Sequence, residues 1–200
     1  MKRLILIRHG ETAKNADGSM HKIGDSAQLT ENGREQMIKT AKALKEYYPF
    51  VIYSSKEIRA KESAQIVAQE YGLFVVAIDG LEERNWGDFS NKNWLEVKDI
   101  LDKMTLEKRF EFSPPNGESW KDFENRLTEA IKGILDNCLL QSAVIVTHGG
   151  AIRALIPRLL KIPKDESFNY NPDNASLSVF KKANKNTFSA VLINSTAHLI

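Results

Sequence analysis

The stretch from Leu4 to Thr12, LILIRHGET, decides how this chain is read. Four aliphatic residues followed at once by Arg8, His9 and Gly10 describe a short strand buried on both faces, since a half-exposed strand would alternate apolar with polar positions. Its carboxyl end delivers a cation and an imidazole to one spot, and in open α/β sheets that edge is where ligands bind. The pattern repeats: Ala143 to Thr147, AVIVT, is a second aliphatic run, and it leads into His148, Gly149 and Gly150. A lone Arg-His pair is ordinarily a charged strand end before a turn. Two strands that both end in histidine and glycine point to a shared site.

Outward from these strands, Lys14 to Gln28 is polar and reads as a loop. Thr30 then has the position of a helix N-cap, ahead of apolar residues at Met37, Ile38, Ala41 and Leu44, with Pro49 as the stop. Phe50 to Tyr53 is the next strand. Ser54 and Ser55 can cap a helix whose stripe is Ala60, Ala64, Val67, Ala68 and Tyr71, closed by Gly72. Arg59 lies in its first turns, off the stripe and near the end of the preceding strand. Leu73 to Ile78 is a third strand, and strands alternating with helices predict parallel pairing with right-handed crossovers.

Asp79 to Gly117 breaks the alternation, with a charged, helix-compatible segment over Leu95 to Phe112. Ser119 and Asp122 resemble a capping box for a helix with the stripe Phe123, Leu127, Ala130, Ile131, Ile134 and Cys138. After His148, Ala151 to Leu160 is a helix that Pro157 is expected to kink or restart. Ala175 to Lys181 and Phe188 to Ile193 form a plausible hairpin. The predicted fold is α/β, a single three-layer α/β/α sandwich around a mostly parallel sheet.

At 200 residues and 42% hydrophobic, the chain supports one core and reads as one domain over residues 1–200. A net charge of +2 gives no general polyanion binder, so no nucleic-acid partner is expected. Cys138 is the one cysteine, which excludes an internal disulfide, argues against a cysteine metal site, and reads as buried core. MKRLILI is cut short by Arg8 as an export signal, and no stretch nears the roughly 18 apolar residues of a membrane span. A cytoplasmic, membrane-free protein is expected, as monomer or homodimer.

Ordered motifs then carry a resemblance. RHGET with Asn15, LTENGREQ (Leu29 to Gln36), SSKEIRAKESA (Ser54 to Ala64), LEERNWG (Leu81 to Gly87), NGES (Asn116 to Ser119), THGGAIR (Thr147 to Arg153) and NASLSVF (Asn174 to Phe180) resemble the histidine phosphatase superfamily, the phosphoglycerate mutase-like proteins. The resemblance implies that His9 accepts a phosphoryl group, that Arg8, Asn15, Arg59 and His148 bind its oxygens, and that Glu83 rather than Glu82 is the general acid and base. It implies no metal and no cofactor. Two departures stand out: Asp88 to Asn91 replace the usual GxxEG continuation, and Ser63 replaces a threonine but keeps the hydroxyl.

The chemistry agrees with these roles. A transferring phosphoryl group spreads charge over three oxygens, which guanidinium forks match bidentately. His9 must present a neutral nitrogen, its other nitrogen pinned by a backbone carbonyl. His148 is expected to work best as a cation, and Trp86 to raise the Glu83 pKa. His21 and His198 are expected in solvent, Lys103, Lys108 and Arg109 on a wet helix face, with the drawing in of anionic substrates as the subsidiary reading, and Trp86, Trp94 and Trp120 in core or lid packing. The expected activity is metal-independent phosphomonoester hydrolysis on a phosphorylated small molecule, a phosphoprotein remaining open. Length favours it over a mutase, whose members are expected to carry a longer insertion and tail; a non-catalytic phospho-ligand module is the other alternative.

Overall fold

Leu4, Ile5, Leu6 and Ile7 are each at most 2% exposed, and they divide between two cores. Leu4 and Leu6 face one side of the sheet with Ala143 and Ile145, while Ile5 and Ile7 face the other with Val144 and Val146. That two-residue alternation is the pleat, and burial on both faces requires helices above and below. The computed structural model, which describes residues 3–137, 142–184 and 187–200, has this three-layer arrangement.

The sheet comprises β1 (Arg3–Arg8), β2 (Pro49–Ser54), β3 (Val75–Ala77), β4 (Ser142–Thr147), β5 (Leu177–Asn184) and β6 (Thr187–Ser195), in the order β3-β2-β4-β1-β5-β6. β3, β2, β4 and β1 are parallel neighbours, and β5 and β6 add an antiparallel hairpin beside β1. Parallel strands cannot be joined by a tight turn, so helices make the crossings. α2 (Glu31–Ala43) and α3 (Ile58–Tyr71) cover one face, and α6 (Trp120–Asn137) and α7 (Gly149–Leu160) the other.

Most caps follow the sequence. Thr30 Oγ1 accepts from the Gly33 amide at 3.0 Å, and Ser119 Oγ accepts from the Asp122 amide at 3.0 Å. Gly72 ends α3 in the left-handed conformation at φ 62°. At the start of α3 the cap position is Glu57, and Ser55 Oγ instead accepts the Glu57 amide at 3.2 Å. Ile38, predicted on the buried stripe of α2, is 44% exposed.

Other differences have local causes. The predicted loop after β1 begins with a short helix, α1 (Ala13–Asp17), capped by Thr12. The segment predicted as one helix over Leu95 to Phe112 divides into α4 (Trp94–Asp102) and α5 (Leu106–Glu111), because Asn93 and Thr105 each cap a fresh start. α7 stays continuous through Pro157. The third strand is shorter than predicted and lies at the sheet edge, with Phe74 89% exposed beside it. Cys138 lies outside the described residues. Among the described residues no helix is long and apolar enough to cross a membrane.

Candidate active site

β1 and β4 run parallel in register, Arg8 opposite Thr147, and the His9 amide donates to the Thr147 carbonyl at 2.9 Å. The two histidines therefore leave neighbouring strands at the same level. Their ring centroids are 5.2 Å apart, and both are almost fully buried.

His9 Nδ1 lies 2.8 Å from the Gly10 carbonyl. A carbonyl can only accept, so Nδ1 carries the proton and Nε2 presents a lone pair, to which Arg59 Nε donates at 3.3 Å. Burial, then Arg59 and Arg8, lower the His9 pKa well below its ordinary value and keep the ring neutral. Gly10 is packed against the start of α2, where a Cβ would meet the Gly33 carbonyl oxygen at 2.4 Å. His9 is thus held from behind by backbone.

Arg59 is 1% exposed, in contrast to a solvated helix residue, and pairs with Glu57 at 3.1 Å and Asp25 at 3.3 Å. Arg8 donates to the Pro172 carbonyl at 2.7 Å, while its buried Nε has no partner. His148 Nε2 meets Ser55 Oγ at 2.9 Å, and its buried Nδ1 has no partner. The expectation of a cationic His148 is corrected: burial first, then Arg59 and His9, lower its pKa well below the usual value. A buried imidazole among arginines sheds its charge until an anion arrives.

Asn15 belongs to the cap of α1, its Oδ1 accepting from the Thr12 amide and from Asn174 Nδ2, each at 3.1 Å. Glu83 is held by two amides, Gly150 N at 2.9 Å and Arg84 N at 2.8 Å. Thr147 Oγ1 fastens this acidic loop to β4 by donating to the Leu81 carbonyl at 2.6 Å. Glu82 turns elsewhere, accepting from Gly80 N at 2.8 Å and facing Arg126 at 3.6 Å.

Arg8, His9, Asn15, Arg59 and Glu83 line one cavity of about 390 Å³; His148, its ring 5.2 Å from that of His9, and Glu82 do not line it. Two expectations are corrected here. His21 lines the cavity, edge-on to His9 at 6.0 Å, bonded to Thr12 Oγ1 and Asp25 at 3.0 Å each. Burial and Arg59 outweigh Asp25 and lower its pKa to about 4. Arg109 also reaches the cavity, bonded to the Leu101 carbonyl and Asp102 at 2.8 Å each, whereas Lys103 and Lys108 are exposed as expected. His198 is partly buried and sits 2.9 Å from Thr40 Oγ1, another departure from solvent. Trp86 and Trp94 meet edge-to-face at 5.8 Å in the lining of the cavity, Trp86 packing in a small core with Met20, Val97 and Leu101.

Comparison with known proteins gives consistent results. A family profile described as "Histidine phosphatase superfamily (branch 1)" matches residues 4–196. The chain is 31% identical over 175 residues to a 2,3-bisphosphoglycerate-dependent phosphoglycerate mutase of Bartonella henselae, covering 82% of this chain and 84% of that one. It is 32% identical over 163 residues to a metal-independent phosphoserine phosphatase of Arabidopsis thaliana, covering 78% and 68%. A solved mycobacterial glucosyl-3-phosphoglycerate phosphatase, in complex with VO3, superposes with a TM-score of 0.85 at 26% identity, over 98% of this chain and 100% of that one. The coverage of the Bartonella mutase leaves little room for a longer insertion and tail, so length does not separate the two activities.

Proposed function

Because the chain belongs to the histidine phosphatase superfamily, we propose that it hydrolyses phosphomonoesters through a phosphohistidine on His9, with no metal ion or cofactor. The observation that carries the reading is the His9 tautomer: a proton on Nδ1, locked by the Gly10 carbonyl, and a lone pair on Nε2 inside a cationic cavity.

Nε2 attacks phosphorus as the ester P–O bond breaks. Arg8, Arg59 and Asn15 take the phosphoryl oxygens, and the unpartnered nitrogens Arg8 Nε and His148 Nδ1 are the donors still to be satisfied. Glu83, as the acid, gives its proton to the departing oxygen. As a carboxylate it then removes a proton from water, whose oxygen attacks phosphorus and breaks the P–N bond, so that phosphate leaves and His9 regains its lone pair. The guanidinium groups supply the charge neutralisation that a divalent ion supplies elsewhere, and among the described residues no three His, Cys, Asp or Glu side chains are grouped to hold one.

Transfer back to a substrate, the mutase alternative, is favoured by the Bartonella relative. Hydrolysis is supported by the full-length match to a phosphatase.

Rapidly quenched protein should carry an acid-labile, base-stable phosphoryl group on His9 by mass spectrometry, and release phosphate from p-nitrophenyl phosphate in EDTA. His9→Ala should lose both adduct and turnover. A label on His148, or activity that requires an added divalent ion, would overturn the proposal.

A further inference from the structure

Residues 172–175, Pro-Asp-Asn-Ala, lead into β5 and bond to Arg8, His9 and Asn15, all three assigned above to the phosphoryl site. Besides the Pro172 carbonyl that receives Arg8, the Ala175 amide is shared between the carbonyls of Arg8 at 3.1 Å and His9 at 3.2 Å. Asn174 Nδ2 donates both to the His9 carbonyl and to Asn15 Oδ1, at 3.1 Å each.

This segment is fixed from outside the site. Ala175 is fully buried at φ 59°, a left-handed conformation that alanine rarely adopts. Such a conformation persists only where its surroundings over-determine it. Here the Ala175 carbonyl accepts from Thr40 Oγ1 at 3.0 Å, and Asn194 Oδ1 accepts from the Asp173 amide at 2.7 Å. Asn174 is thus presented to His9 and Asn15 by backbone held on either side of it.

The direction of both amides follows from their partners. The His9 carbonyl can only accept, so the Asn174 atom that faces it is the nitrogen. That nitrogen gives its second proton to Asn15, so the Asn15 atom it meets is the oxygen. The Thr12 amide, also a pure donor, meets the same oxygen at 3.1 Å. Thr12 Oγ1 lies 3.0 Å from both Asn15 Oδ1 and His21 Nε2 but has one proton to give. Asp25 accepts from His21 Nδ1, so the Nε2 of a neutral His21 is a lone pair that takes it. Asn15 Oδ1 therefore rests on two N–H donors, of which Asn174 alone comes from another part of the chain. Among the described residues every hydrogen bond of the Asn15 side chain is made by Oδ1, which leaves Nδ2 with none.

Resting on the phosphatase reading above, we propose that Asn174 is a positioning residue, which turns the Asn15 amide so that Nδ2 donates to a phosphoryl oxygen. Asn15 lines the cavity and Asn174 does not, so Asn174 acts through its neighbour and not on the substrate. A planar amide carries its donor and its acceptor on opposite sides, and with Oδ1 saturated the end left for an anion is the donating one. Turned the other way, Asn15 would set a carbonyl oxygen against the phosphoryl oxygens.

The test is a double-mutant cycle read by calorimetric titration of inorganic phosphate into the wild-type protein, Asn15→Ala, Asn174→Ala and the double variant. Each single substitution should weaken phosphate binding by roughly 10- to 100-fold, the worth of one charge-assisted hydrogen bond. The double variant should match Asn15→Ala to within about 2-fold, since Asn174 then has nothing left to turn. Losses that multiply in the double variant would mark a general structural effect of Asn174 and overturn the proposal, as would wild-type affinity in Asn174→Ala. If Asn174→Ala does not fold, Asn174→Asp, equal in size but without the N–H donors, takes its place in the cycle and should lose at least as much. The wild-type protein gives a reading that needs no folded variant at position 174. In heteronuclear spectra the Asn15 side-chain N–H₂ resonance should move on phosphate addition by more than that of Asn174, and the reverse order overturns the assignment.

Turnover of p-nitrophenyl phosphate is followed in parallel. If the wild-type protein binds phosphate but turns over no ester, the phosphatase reading fails and the titrations still decide Asn174. Turnover with losses that multiply overturns Asn174 alone. A wild-type protein that binds no phosphate also overturns the orientation, because no anion then meets Nδ2.

Discussion

In the proposed mechanism His9 attacks only while Nε2 is bare, and burial, with the surrounding cations, extends that condition to low pH. An unperturbed histidine loses half its lone pairs near pH 6.5. Here the acid limb of kcat/KM that belongs to His9 should fall below that value; a limb centred at or above pH 6.5 would show that the folded site protonates like a free imidazole. Glu83→Gln should slow poor leaving groups by roughly 100- to 10,000-fold and p-nitrophenolate much less, since only a basic alkoxide needs its proton. Equal losses on both would reduce Glu83 to a binding group, and a larger loss from Glu82→Gln would move the acid one residue back. Arg8, His9 and His148 were legible because aliphatic strands aim them. His21 was not: its position comes from Thr12 and Asp25 across a loop without periodicity, and no local pattern signals such contacts. Arg109 was legible only as a subsidiary reading, since a helix face looks wet until another element covers it.

Among the elements, α7 has a role its amphipathic pattern conceals, because the Gly150 amide in its first turn holds the Glu83 carboxylate. A Cβ on Gly150 would lie 2.2 Å from Glu83 Oε1, at the tip of a flexible side chain that can swing away. Gly150→Ala should therefore fold with little change in Tm, as alanine is the better helix former, while kcat falls toward the Glu83→Gln level. Gly33→Ala should behave oppositely. Its Cβ would lie 2.2 Å from the Glu11 carbonyl oxygen, and backbone cannot swing aside. Overpacking of this kind costs about 1–3 kcal/mol, so a lower thermal midpoint is expected with the loss of activity. A normal Tm for Gly33→Ala, or a collapsed one for Gly150→Ala, would mean the contacts are read wrongly. The strands and long helices were legible from composition, period and caps. The division of α4 from α5 was not, because Asn93 and Thr105 act as caps only once the chain has turned.

For the molecule as a whole, folding lowers the pKa of all four histidines, His198 among them. His9 and His148 are held well below the ordinary value and His21 at about 4, whereas the unfolded chain takes up these protons near pH 6.5. The unfolded state thus binds more protons below that pH, and stability must fall as the solution is acidified, by up to about 1.4 kcal/mol per pH unit for each histidine. Denaturant midpoints should drop between pH 7 and pH 5, and His21→Gln should flatten the drop by about one histidine's share. An unchanged midpoint would mean that the folded protein accommodates the charges. The same strand register has a consequence in time. β1 leaves the ribosome first, yet its partners are β4 and β5, with Leu4 facing Ala143 on one side and Phe180 on the other. At 5–20 residues per second the first histidine waits on the order of 10 s for the second. Every nascent chain that has not yet extended past β4 carries His9 without its neighbouring strand, so the two histidines meet only after β4 has been made.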